Sequence, residues 1–296
     1  MPSPLNRTLR LTEEDYQESI STLSSPLFAS LASGIYQGDA LQSLQLLPDN
    51  SFTLIIADPP YNFGRDFGND SDKREEEEYV EWLKEWIALL PQKLTANGSV
   101  YICCDWQHSG VIEQFLRTSG LHVLNRITWK RDKGRGALRN WKQNMEDIWF
   151  AVKDKKEYLF NLEEVKVYKP VIAPYRENGK PKDWQTDENG KPFRLTHPSN
   201  IWTDLTVPFW SMPENTPHPT QKPELLIERI VLASSNPGDR VLDLFSGSGT
   251  TSVIAKRHAR AFIGIELNEE YIRLGNKRLH REVIRSSTIP PDINNQ

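Results

Sequence analysis

Asp58-Pro59-Pro60-Tyr61 is the stretch whose residue types and spacing most directly suggest chemistry. Consecutive prolines fix two φ angles, remove two backbone donors and disfavour helix in the residue before each. The Asp58 carboxylate and the Asp58 and Pro59 carbonyls are thereby held as acceptors that no helix satisfies. Tyr61 adds a flat aromatic face. Acceptors beside a stacking surface suit a planar ring with an exocyclic amino group, which describes a nucleobase. Taken alone, the tetrapeptide reads more readily as a rigid turn at a strand end, so an independent motif has to support it.

That motif comes late. Val241-Leu242-Asp243-Leu244-Phe245 reads as a strand, Ser246-Gly247-Ser248-Gly249-Thr250-Thr251 as a glycine turn opening a helix, and Ala261 to Ile265 as a second strand ending at Glu266. In such a βαβ nucleoside site the glycines admit a ligand to the backbone, and the terminal acid binds both ribose hydroxyls. Ser252 stands where a dinucleotide fingerprint needs its third glycine, and no lysine follows the turn as in a phosphate loop. A ribose with a short carboxylate tail and no phosphate fits better, and S-adenosylmethionine is that ligand. A third feature is electrostatic. From Arg126 to Lys142 seven basic residues (Arg126, Lys130, Arg131, Lys133, Arg135, Arg139, Lys142) face one acid, Asp132, in a chain of net charge −4. Such a run in an acidic protein is expected to contact phosphates, and Lys130, Arg131, Lys133, Arg135, Arg139 and Lys142 are the DNA-binding candidates.

The elements that must position these residues alternate. Phe52 to Ala57 is a short apolar run, expected as a buried strand feeding the tetrapeptide. A helix at Leu41 to Leu47 precedes it. An amphipathic helix runs through Tyr79, Trp82, Leu83, Trp86, Leu90 and Leu94, with Asn97-Gly98 expected to end it. Strands are expected at Ser99 to Cys104, Val123 to Trp129 and the second half of Asn144 to Val152, with a helix between Gly110 and Thr118. Alternation of this kind predicts an α/β layer architecture. Residues 63 to 74 read as a mobile surface loop, Glu13 to Leu23 as a short helix, and 161–215, rich in proline and charge, as an irregular insert suited to specificity. The 296 residues, 38% of them hydrophobic, suffice for one large domain with an insert. Cys103 and Cys104 point to opposite faces of their strand and read as packed thiols in a reducing cytoplasm, with no metal site. No apolar run is long enough for a membrane span, and no signal peptide is read.

Asp58-Pro59-Pro60-Tyr61, Phe245-Ser246-Gly247-Ser248-Gly249 and His218-Pro219-Thr220-Gln221-Lys222-Pro223 together resemble the motifs of amino-methylating DNA methyltransferases. Their order, tetrapeptide first and glycine loop last, resembles the β group, typified by the RsrI-like adenine methyltransferases. The resemblance implies a doubly wound α/β fold of the class I S-adenosylmethionine-dependent methyltransferase type. Its seven-stranded sheet would be mostly parallel, with one antiparallel strand and an inserted target-recognition segment. The divisions expected are an N-terminal extension (1–33), a catalytic half (34–160), the insert (161–215), a cofactor-binding half (216–282) and a disordered tail (283–296).

By residue, the resemblance implies that Asp58 and the Pro59 carbonyl, shaped by Pro60, hold the target amino group while Tyr61 stacks on the extruded ring. Phe245, Ser246, Gly247, Ser248 and Gly249 would wall the cofactor, with Asp243 at the strand end and Thr250 and Thr251 at the helix start. Glu266, Leu267 and Asn268 would meet the ribose, Asp39 and Ala40 the adenine, and His218, Thr220, Gln221 and Lys222 the methionine end. The substrate implied is double-stranded DNA, met in the cytoplasm and on the nucleoid. Asp at the first motif position favours adenine as the flipped base, giving N6-methyladenine, with N4-methylation of cytosine as the alternative. A catalytically silent DNA-binding protein would have no use for an intact glycine loop and Glu266. Whether a cognate restriction endonuclease exists, and whether the chain forms a homodimer, the sequence leaves open.

Overall fold

The structure is a computed structural model that describes residues 4–21, 32–68, 71–131, 138–172 and 175–283. In chain order the first elements are β1 (Gly34–Gln37), α1 (Ala40–Leu46), β2 (Phe52–Ala57), α2 (Glu76–Lys93), β3 (Leu94–Cys104), α3 (Ser109–Thr118), β4 (His122–Lys130) and β5 (Met145–Val152). Short strands follow: β6 (Val167–Pro170), β7 (Arg176–Glu177), β8 (Lys180–Pro181), β9 (Gln185–Thr186), β10 (Pro192–Thr196) and β11 (Ile201–Trp202). The chain then alternates again through α4 (Glu224–Ser234), β12 (Arg240–Asp243), α5 (Thr250–Arg257), β13 (Ala261–Glu266) and α6 (Glu269–Arg281).

The main sheet has the order β1-β13-β12-β2-β3-β5-β4-β11, and β5 alone runs against its neighbours. It is the expected mostly parallel sheet, with the two-residue β11 added beside β4 as an eighth strand. Helices cover both faces, so its central strands are apolar on both sides. Ile55, Val100, Ile102 and Cys104 pack with Leu44, Trp86, Leu90 and Ile112 on one side. Leu54, Ile56, Tyr101 and Cys103 pack with Ile227, Ile230, Val253 and Ile272 on the other. Cys103 and Cys104 are buried free thiols on opposite faces, as the period of two requires.

Three expectations need revision. Asn97-Gly98 does not end α2, because β3 begins at Leu94. Leu94 pairs with Phe52 and Ser99 with Leu54, so residues 95–98 bulge out of a strand already under way. The segment 161–215 is only partly an excursion. β6, β10 and β9 form a small antiparallel sheet and β7–β8 a hairpin, but Trp202, Leu205 and Val207 return to the core. Of the helix expected from Glu13, a single 3-10 turn, Glu14–Tyr16, is present, and 22–31 lie outside the described residues, as does the tail from 284.

Candidate active site

Parallel strands deliver their C-terminal ends to one edge of a doubly wound sheet, where ligands are expected. Here β2 ends just before Asp58, β12 at Asp243, β13 at Glu266 and β1 shortly before Asp39. β5, being antiparallel, brings its start, Glu146, to that same edge.

The tetrapeptide follows the fully buried β2, and the Tyr79 hydroxyl, from α2, donates to the Pro60 carbonyl at 2.7 Å. The Tyr61 hydroxyl donates to Asp58 Oδ1 at 2.9 Å. Among the described residues no donor reaches the carbonyl of the buried Pro59. The Asp58 carboxylate is engaged: Lys222 Nζ lies 2.6 Å from both its oxygens, 3.3 Å from Glu146 Oε2 and 3.4 Å from the Tyr61 hydroxyl. Burial pushes Asp58 upward against the opposing pull of Lys222. Lys222, though desolvated, is held above its usual range by Asp58 and Glu146, so it remains a cation. Lys222 was expected at the methionine end of the cofactor. It lines the adjoining cleft, and its ammonium also meets the amino-acceptor cluster.

Beside this cluster lies a narrow cleft of about 30 Å³, lined by Asp58, His218, Thr220, Gln221, Lys222, Asp243 and Phe245 to Ser248, with Thr250 and Thr251. Gly247 (φ 51°) and Gly249 (φ 75°) both adopt left-handed backbone, which favours glycine. A Cβ at Gly247 would meet the His218 ring at 2.8 Å, so the strap carrying His218 does close over the glycine turn. Burial, and then Lys222, push the His218 imidazole down to about 3, so it is neutral and its Nδ1 accepts from the Thr220 amide at 3.4 Å. Gln221 braces the strap's own turn, accepting from Thr216 and donating to the Glu214 carbonyl at 2.7 Å. Gly249 serves packing: its Cβ would meet Gly275 of α6 at 2.9 Å and Ile35 at 2.8 Å.

Glu266 ends β13 with its carboxylate accepting from the amides of Gly247 (2.7 Å), Leu267 (2.9 Å) and Asn268 (2.8 Å), and burial raises its pKa. Asp243 is buried and pushed up to about 7, while accepting from the Phe245 amide at 3.3 Å. Phe245 turns its ring edge toward Trp82 and Trp86 of α2. Asp39 caps α1 through the Gln42 amide at 3.0 Å, and Ala40 is buried. Thr250 donates to the Lys222 carbonyl at 3.4 Å, linking strap and turn.

The loop after Tyr61, expected to be mobile, is tied down. Asp72 accepts from the amides of Phe63 (3.3 Å) and Arg65 (2.6 Å), and Asn62 from Arg74 at 2.6 Å. Asn268 Nδ2 donates to the Phe67 carbonyl at 2.7 Å, and Arg65 to the Pro219 carbonyl at 3.1 Å. The loop therefore bridges the tetrapeptide to the strap and to the start of α6.

The basic stretch divides. Arg131 turns inward and pairs with Glu146 at 2.7 Å, contrary to its expected role as a free phosphate contact. Lys130, Arg139 and Lys142 are exposed, as is Trp141 at 92%. Lys133 and Arg135 lie outside the described residues. Sequence reasoning missed Glu146 altogether. The one available signal was a pair of acids, Glu146 and Asp147, near the start of an otherwise apolar strand that follows the basic stretch. Among the described residues no group of three or more His, Cys, Asp or Glu side chains could hold a metal, and no helix is long and apolar enough to cross a membrane.

Known proteins place this arrangement. The family described as DNA methylase, comprising N6- and N4-methyltransferases, matches residues 52–277. The chain is 38% identical over 261 residues to the DNA adenine methyltransferase YhdJ of Escherichia coli K12, covering 85% of this chain and 84% of that one. It is 36% identical over 245 residues to the type II methyltransferase M.HpaI of Haemophilus parainfluenzae, covering 82% and 73%. Among solved structures, M1.HpyAVI in complex with SAM superposes with a TM-score of 0.57 at 30% identity, over 83% of this chain and 98% of that one. The cytosine-N4-specific PvuII methyltransferase, at 20% identity, shares the fold with a TM-score of 0.61 over 83% and 86%. The chain belongs to the DNA methylase family and is a DNA methyltransferase with the class I methyltransferase fold.

Proposed function

We propose that the protein transfers a methyl group from S-adenosylmethionine to the exocyclic amino group of an adenine flipped out of double-stranded DNA. The observation that carries this reading is the tetrapeptide's acceptor pair, Asp58 lining the glycine-turn cleft and the Pro59 carbonyl that no described donor engages, beside Tyr61. The cleft's residues fit S-adenosylmethionine. A half-buried acid ends β13 where a ribose diol would sit, no lysine stands in the turn to ask for phosphate, and Gly247 leaves no room for a Cβ. That ligand supplies an electrophilic methyl on a sulfonium.

The chain's own residues do the rest. Extruding the base costs a few kcal/mol, which stacking on Tyr61 helps to offset. Asp58 and the Pro59 carbonyl each accept one amino hydrogen, which favours a pyramidal nitrogen and turns its lone pair toward the methyl carbon. With the methyl supplied by the sulfonium, the amino nitrogen would carry a surplus proton, and the Asp58 carboxylate would take it. Positioning and acceptor electrostatics supply the rate, with no covalent enzyme intermediate. The buried thiol of Cys103, pushed up by desolvation, is unsuited to be a nucleophile.

The exposed Lys130, Arg139 and Lys142 support a phosphate-contacting edge next to this site, with the excursion over β6–β10 as the target-recognition element. Two relatives named as type II methyltransferases, M.HpaI and M.BglII, support pairing with a cognate restriction endonuclease. The test of the site is Asp58→Ala. It should abolish methyl transfer to duplex DNA while S-adenosylmethionine still binds in calorimetry; wild-type turnover by the variant would refute the site.

A further inference from the structure

We propose that Glu146 is a positioning residue for methyl transfer, acting through Lys222 to keep the cluster around the Asp58 acceptor net negative; this rests on Asp58 being the target-amino acceptor. Lys222 Nζ sits 2.6 Å from both Asp58 oxygens, with its side chain 7% exposed. Alone, that cation is wrongly placed. The reaction moves positive charge from sulfur to nitrogen, and it is helped by fixed negative charge beside the nitrogen. An ammonium at this range in a dry site cancels the charge on Asp58. Glu146, 5% exposed and 3.3 Å from the same ammonium, restores one negative charge to the group of three. It also lies 3.3 Å from the Tyr61 hydroxyl, so it touches each partner of Asp58. Arg131 pairs with Glu146 Oε1 from the other side at 2.7 Å, so without Glu146 two cations, Lys222 and Arg131, would stand at the cluster against Asp58 alone. The neighbouring Cys103 thiol is neutral, so it adds no charge.

Removing one partner of a buried ion pair leaves an uncompensated charge, whereas removing both does not. This asymmetry separates an electrostatic role from a merely structural one. Glu146→Gln, Lys222→Met and the double variant are compared with the wild-type protein in single-turnover methylation of duplex DNA. S-adenosylmethionine affinity and melting temperature are measured alongside. Glu146→Gln should slow the step by about tenfold or more, with cofactor affinity within about twofold of wild type. The double variant should be faster than Glu146→Gln. In Lys222→Met, two carboxylates face each other without a cation between them, so the proton affinity of Asp58 rises. Its rate should climb with pH above neutrality, and adding Glu146→Gln should flatten that climb. If Glu146→Gln does not fold, the comparison of Lys222→Met with the double variant decides. A double variant slower than Glu146→Gln, a wild-type rate in Glu146→Gln, or an unchanged pH profile in Lys222→Met would overturn the proposal. Failure of the underlying site shows separately, as methylation by Asp58→Ala.

Discussion

Gly249 holds a left-handed φ of 75° and lies close against Gly275, so a side chain there meets helix α6 and Ile35. The left-handed region costs an L-residue about 1–2 kcal/mol. Gly249→Ala should therefore lower the melting temperature of the ligand-free protein, by roughly 2–4 °C per kcal/mol in a chain of this size or somewhat smaller. An unchanged melting temperature would return Gly249 to a purely ligand-facing role. Asp243 makes a second residue-scale prediction. Its carboxyl is pushed from near 4 up to about 7, mainly by burial. Folded protein then holds a proton that unfolded chain releases, so stability present below about pH 4 is lost as pH rises toward 7 and is level above it. Asp243→Asn should raise the melting temperature at pH 8, and the gain should shrink as pH is lowered from 7 to 4. A gain that is constant with pH would show that burial is not what perturbs the group.

At the scale of elements, legibility followed burial. β2 and the β12–α5–β13 unit could be read because parallel strands covered on both faces are unbroken apolar runs, with turn residues marking their ends. The β3 boundary could not, because Asn97-Gly98 is a turn signal that sits in a bulge. Glu146 escaped for a topological reason: only the antiparallel course of β5 brings a strand start to the edge where β2 ends. Direction of pairing leaves no mark in periodicity. Charge alone also failed to separate Arg131, which pairs inward, from Arg139 and Lys142, which face solvent. The difference is testable. Replacing Arg139 and Lys142 together with glutamine should weaken DNA binding for all sequences and flatten its log–log salt dependence by about 0.9 per lost contact. An unchanged slope would make the segment an ordinary solvated loop.

For the whole molecule, one edge of one sheet assembles the site from distant parts of the chain. Asp58 and Tyr61 follow β2, Lys222 comes from the strap before α4, Glu146 from β5, and Glu266 from β13. The permuted motif order is no obstacle, because spatial neighbours on the sheet, such as β2 and β12, need not be sequence neighbours. Base choice is the finest claim made about this assembly. Stacking on Tyr61 accepts any base, so discrimination between adenine and cytosine falls to pocket shape and to the groups around the amino acceptors. The direct measurement is to methylate duplex DNA with the purified protein and S-adenosylmethionine, digest it to nucleosides and separate them by mass. N6-methyladenosine (as its deoxynucleoside) is the product predicted, lost in Asp58→Ala; N4-methylcytosine as the sole product, or methylation surviving in Asp58→Ala, would contradict it.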